Sequence, residues 1–356
     1  MTQLAPAPEQ TVQPRKERDP FFDNAKYLAI LLVAIGHAIV GLRHQVVVAD
    51  ALYFYVYLFH MPLFIVITGY FSRNFTFSGR KAQKLITNLG VPYVLFEIAY
   101  SVVEWRLTGN DFRISLLDPV YLTWFMLALF LWRLSTPVWQ QIRWSLPISV
   151  VIALISYTGP LSGQLDMHRV FGLAPFYVLG LCLRKEHFEY LRRPWMRVAG
   201  GVTLAVAFAG MFYVKDHMNY LWLYWRDSNE ALGVNQLTGS VMRLAMMVAG
   251  TVLVAAFLSV VPRRRMWFST LGTTTIYAYL LHGFFVKYFQ YMKWDRLSWL
   301  QNPAGLLLVI ACSAVLATVL CTPPVVRVMH WAVEPRAGWA FTRLRQPAKP
   351  AREIQK

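Results

Sequence analysis

Apolar residues along this chain come in long blocks, not in short alternation. Ten such blocks, about 24–43, 51–72, 84–105, 119–134, 145–159, 168–184, 197–214, 238–261, 271–291 and 304–323, are separated by short polar segments. A helix of about 20 apolar residues crosses the hydrocarbon core of a bilayer. It also satisfies its own backbone hydrogen bonds there, as a lone strand cannot. The blocks therefore predict an all-α polytopic membrane bundle of about ten transmembrane helices. Pro92, Pro147 and Pro175 fall inside blocks, where neighbouring helices can take up the freed carbonyls. The stretch "MTQLAPAPEQTVQPRKERDP" is polar and Pro-rich. It lacks the cation-then-apolar order of a signal peptide. Residues 1–22 and 326–356 thus read as cytoplasmic tails, the first of them disordered, around a transmembrane domain over 23–325.

Composition agrees with the pattern. Hydrophobic residues make up 56% of the 356 and charged residues only 15%, against about 25% in a soluble domain. The net charge of +17 raises the question of nucleic acid, and its distribution answers it. With the N-terminus inside, twenty-four cations fall on cytoplasmic segments and eight on outer loops. That asymmetry is the positive-inside pattern, reinforced by attraction to anionic lipid. It places both termini in the cytoplasm and makes a nucleic-acid partner unnecessary. Cys182, Cys312 and Cys321 all lie in apolar blocks, with no spacing for a disulfide framework or a metal site.

Ionisable groups inside the blocks are the unexpected feature, because each costs a few kcal/mol at bilayer depth and tends to mark function. In "DNAKYLAILLVAIGH", Lys26 and His37 are eleven residues apart. At ~100° and ~1.5 Å per residue they share one helix face about 16 Å apart. Asp23 joins the same face. His60 in the second block and His282 in the ninth lie at depths similar to His37, so three histidines are expected to converge toward the outer side. Glu97 and Arg243 fall in the same outer half, with mutual pairing as the structural alternative. Arg169 opens the sixth block beside Asp166 and His168. Trp124 is a candidate for the acceptor site, and Tyr121 reads as an interfacial belt residue.

The opposite pole is basic. "SRNFTFSGRKAQK" carries Arg73, Arg80, Lys81 and Lys84, more cations than orientation needs and suited to a phosphorylated ligand. An acyl-CoA is anionic at one end and has an arm about as long as the Lys26–His37 separation. A neutral histidine can serve as general base toward a hydroxyl. Two substrates meeting across the membrane would use such an arrangement.

The Lys26-to-His37 spacing together with "FHMPLFIVITGYF" resembles the acyltransferase-3 superfamily of bacterial integral-membrane acyltransferases. "DNAKYLAILLVAIGH", "YLTWFMLALFLWRL" and "RVFGLAPFYVLGL" most resemble its fucose 4-O-acetylase-like branch. The resemblance spans nearly all ten blocks. It implies O-acylation, with acetyl-CoA as co-substrate and no permanently bound cofactor or metal, of a sugar or glycoside hydroxyl at the cell membrane. It also implies that His37 is the essential histidine and Lys26 its basic partner, where many members have arginine. Arg73 and its neighbours match the family's basic segment, and Thr68 stands where many members have serine. Many relatives add an extracytoplasmic esterase-like domain, for which no segment is seen after the tenth block. Glu97, His60 and His282 are then candidates to assist His37, and Arg243 to stabilise an oxyanion. A proton-coupled transporter or glycan exporter built on the same histidines is the competing expectation. The lack of an internal repeat counts against it.

Overall fold

The computed structural model describes residues 19–109, 111–161 and 164–336, and among these every regular element is helical. In chain order they are α1 (Pro20–Ala38), α2 (Val47–Ser72), α3 (Gly79–Leu85), α4 (Val91–Thr108), α5 (Thr123–Trp139), α6 (Ser145–Ser156) and α7 (Met167–Cys182). There follow α8 (Lys185–Leu191), α9 (Pro194–His217), α10 (Gln236–Val260), α11 (Thr275–Tyr291), α12 (Pro303–Leu320) and α13 (Pro323–Val333).

Six stretches are long and apolar enough to cross a membrane: α1, α2, the continuous run Gly79–Thr108 that joins α3 to α4, α9, α10 and α12. The other four blocks, counted as spans in the expectation of about ten, form shorter helices. α5, α7 and α11 have 17, 16 and 17 residues. α6 has only 12, which rise about 18 Å against a hydrocarbon core of about 30 Å. Gly159-Pro160 follows it closely and blocks continuation. In the third block a π-helical turn, Ile86–Gly90, absorbs the local break before Pro92.

α1 is the axis of the half of the bundle that carries the histidines. It packs against α2, α11 and α12, with Phe21, Ala25, Ala29, Ile30 and Val33 fully buried. Its first turn is capped by Asp19, whose carboxylate accepts from Phe21 N at 3.0 Å. α2 crosses α7 at backbone contact distance. A Cβ on Gly69 would lie 2.2 Å from the Tyr177 carbonyl oxygen, and one on Gly180 2.3 Å from that of Val66. Small residues of this kind let membrane helices approach and gain packing energy. The outer helices show the opposite face: Val198, Val202 and Val206 of α9 and Leu307 and Val315 of α12 are all exposed, as lipid-facing residues should be.

The expected tail boundaries shift. Residues 20–22 already belong to α1. Residues 323–333 form α13, which buries Ala332 and Val333 and packs on α11 and α4, while Val328 and Trp331 stay exposed. The remaining tail expectations, 1–18 and 337–356, lie outside the described residues.

Candidate active site

The last turn of α1 and the middles of α2 and α11 bring His37, His60 and His282 together. The His37 ring centre is 6.4 Å from that of His60 and 5.5 Å from that of His282. His60 and His282 are 3% and 0% exposed, while His37 is half-buried. Each of the two buried rings is held by its own helix. His60 Nδ1 lies 2.8 Å from the Val56 carbonyl, and His282 Nδ1 2.8 Å from that of Ala278. A carbonyl can only accept, so both Nδ1 atoms carry protons and the neutral rings keep their lone pairs on Nε2. His37 differs. Its Nδ1 faces the Tyr57 hydroxyl at 3.1 Å, and that ring packs on Tyr53 with centroids 4.0 Å apart. When Nδ1–H is donated to Tyr57, His37 Nε2 is left as the free base.

His37 opens onto a cavity of about 480 Å³ that His60, Tyr57, Tyr121, Trp124 and Arg169 also line. This size is typical of a small-molecule site. Arg169 is fixed at the wall by an ion pair with Asp166 at 2.7 Å and by Nε donation to the Tyr224 carbonyl at 3.0 Å. Its guanidinium lies 4.8 Å from the Trp124 ring centre. The cavity thus combines a base, a guanidinium, a carboxylate and aromatic faces, which suits a hydroxyl-rich ligand.

Other expected residues stand elsewhere. Glu97 is fully buried, but it does not line the cavity. Both its oxygens accept from Val120 N at 3.1 Å, and the Thr123 hydroxyl donates to it as well. It pins the turn that starts α5, and that turn holds Tyr121 at φ 55°, a left-handed conformation costly for an aromatic residue. Tyr121 in turn places its ring 5.5 Å from His37. Arg243, also fully buried, donates to the carbonyls of Trp222 and Asp227 at 3.0 and 2.9 Å and lies over the Tyr157 ring. It neither pairs with Glu97 nor lines the cavity. It holds the 222–227 segment, whose Tyr224 and Trp225 form part of the cavity wall.

At the far end of α1, Lys26 and Asp23 form an ion pair at 2.8 Å. The helix is unbroken from Pro20 to Ala38, so Lys26 stands about 16 Å below His37 along it. Asn24, between Asp23 and Lys26, clamps the loop after α10. It donates to the carbonyls of Pro262 and Arg264 and accepts from Ser269 Oγ at 2.6 Å. That loop carries Arg263, whose guanidinium is held below its ordinary pKa range by desolvation and by Arg197 and Arg192 nearby. Arg73 is committed to structure: it donates to the Leu183 carbonyl and the Tyr70 hydroxyl. Arg80 and Lys81 are exposed and Lys84 is likewise on the surface of α3.

Tyr57, Tyr121 and Asn24 were thus missed or undervalued from the sequence. Asn24 had a legible signal, an amide inside a membrane block. Tyr121 did not, because aromatic residues near block ends are ordinary. Among the described residues no group of His, Cys, Asp and Glu is placed to hold a metal ion.

Residues 19–322 match the family model described as an acyltransferase domain. No curated protein and no solved structure matches the chain.

Proposed function

The chain belongs to the acyltransferase-3 superfamily and is a multi-pass membrane acyltransferase, and from this premise we propose which reaction it runs. It takes an acyl group, acetyl by its resemblance to the fucose 4-O-acetylase-like branch, from cytosolic acyl-CoA. It delivers that group to a hydroxyl of an extracytoplasmic or membrane-linked sugar. The observation that carries this reading is one unbroken helix with Lys26 at one end and His37, on a polar cavity, at the other.

The loop-charge pattern assigns the Lys26 end to the cytoplasm and the His37 end to the exterior. The anionic part of the donor is held by Lys26, Arg263 and Arg264, and its pantetheine arm covers the ~16 Å to His37. The acceptor sugar occupies the outer cavity, stacked on Trp124 and hydrogen-bonded by Arg169 and Asp166. His37 Nε2 takes the hydroxyl proton as the oxygen attacks the thioester carbonyl. The C–S bond breaks, the C–O ester bond forms, and the proton passes to the departing thiolate. Transfer through an acyl-His37 intermediate uses the same groups in two steps. Tyr57 orients the ring in both.

The purified protein in vesicles, given radiolabelled acetyl-CoA and extracts of surface glycans, tests the reading. His37→Ala is expected to lower acyl transfer by about 10²–10⁴-fold, while the protein still inserts in the membrane. Undiminished transfer in that variant would overturn the proposal.

A further inference from the structure

The histidine cluster is approached by a second cavity, unlike the first. About 400 Å³ of space lies between α1, α11 and α12, and His282 lines it while His37 does not. Ala34 and Ala38, on either side of His37 in α1, leave room on one wall. Val286, Phe289, Val309 and Leu316 are among the apolar residues that continue the wall. Ser313 belongs to this wall too, but its hydroxyl is spent on the Ile310 carbonyl. Such a wall has almost nothing to hydrogen-bond a hydrophilic ligand.

The groove opens sideways. Phe285 and Leu308 on its edge are 52% and 46% exposed, and Trp294 and Trp299 stand exposed at the end next to the start of α12. Its α12 residues run from Leu308 to Leu316. They lie about 8 to 20 Å along the helix from Pro303, within the depth of a hydrocarbon core of about 30 Å. Tryptophans at such a boundary sit at headgroup level. In a bilayer the medium facing this opening is lipid.

We propose that this groove binds one hydrocarbon chain of a membrane lipid, with the headgroup beside Trp294 and Trp299 and the chain running past His282 toward Leu316. Transfer from bilayer to groove gains little from the hydrophobic effect, since both are apolar. The gain is packing against a preformed wall. His282 is then the partition between the chain and the reacting histidine, its ring centre 5.5 Å from that of His37. A lipid-anchored acceptor would lodge its anchor here and its sugar in the polar cavity. That role rests on the proposed function, whereas the site itself does not.

The test is photolabelling of the full chain in phosphatidylcholine vesicles whose lipids carry a diazirine on one acyl chain. Adducts on 308–316 and 285–289 are expected to exceed those on the lipid-facing Val202 and Val206 of α9 roughly tenfold, the ratio for a site favoured by about 1.4 kcal/mol. Ser313→Phe, which fills the groove, and Leu308→Trp, which narrows its edge, should each abolish the excess and leave α9 labelling intact. Equal labelling of the two faces in the unaltered protein, or an excess that both variants leave unchanged, overturns the proposal. Acyl transfer measured on the same vesicles separates this outcome from failure of the proposed reaction.

Discussion

A histidine at membrane depth needs polar partners, and His37 has a tyrosine on Nδ1 and a cavity beside it. Tyr57→Phe removes the partner while keeping the ring. We expect a fall in acyl transfer without loss of folded protein, read as reduced kcat at unchanged melting temperature. Glu97 makes the contrary prediction. Its carboxylate satisfies Val120 N and Thr123, so Glu97→Ala orphans buried donors and costs about 1–3 kcal/mol, measurable as a lower Tm. Asp295, outside the membrane-spanning helices, is buried with one carboxylate oxygen unpartnered. Desolvation raises its pKa. A raised carboxyl pKa gives stability that is complete below the unfolded value and is lost as pH rises through the folded one. Asp295→Asn should therefore raise Tm at neutral pH and do so much less near pH 4. The placement of Lys26 and His37 toward opposite ends of one helix could be read from their spacing. The partners of Glu97 and Arg243 could not, because backbone groups brought in by tertiary packing leave no trace in local sequence.

Helices translate these contacts into position. The α2–α7 crossing fixes where His60 meets α1, and it depends on Gly69 and Gly180 lacking Cβ atoms. Gly69→Ala would push the Tyr177 backbone away. We expect about 1–3 kcal/mol of overpacking cost and a displaced His60, seen as lowered Tm together with lowered transfer. Hydrophobic blocks located these helices well because lipid imposes one rule along the whole block. They overstated α6, where Gly159-Pro160 cuts the helix short within an apolar run. They also passed over α13, which is only eleven residues long and mixes the exposed Arg327, Val328 and Trp331 with the buried Ala332 and Val333.

Across the whole molecule, charge and chemistry are polarised along one axis. The loop holding Arg263 is clamped by Asn24 at the Lys26 end of α1, and the histidines and Arg169 gather at the other end. The loop-charge asymmetry predicts an orientation that is open to direct measurement. A membrane-impermeant maleimide should label Lys215→Cys in intact cells, and Arg80→Cys only after permeabilisation. The reverse result would invert the assignment of donor and acceptor sides.

The hydrogen bonds of His60 and His282 have one more consequence. A proton crosses a chain of imidazoles only if each ring accepts at one nitrogen and releases from the other. Both rings keep Nδ1 tied to a carbonyl four residues back on their own helix, so each has a single usable nitrogen. They can lend and recover a proton at Nε2 beside His37, whereas passing one through would first break the Nδ1–carbonyl bond. A relay through the two rings would therefore have to give up two intrahelical hydrogen bonds, a cost that acid–base work at Nε2 alone avoids.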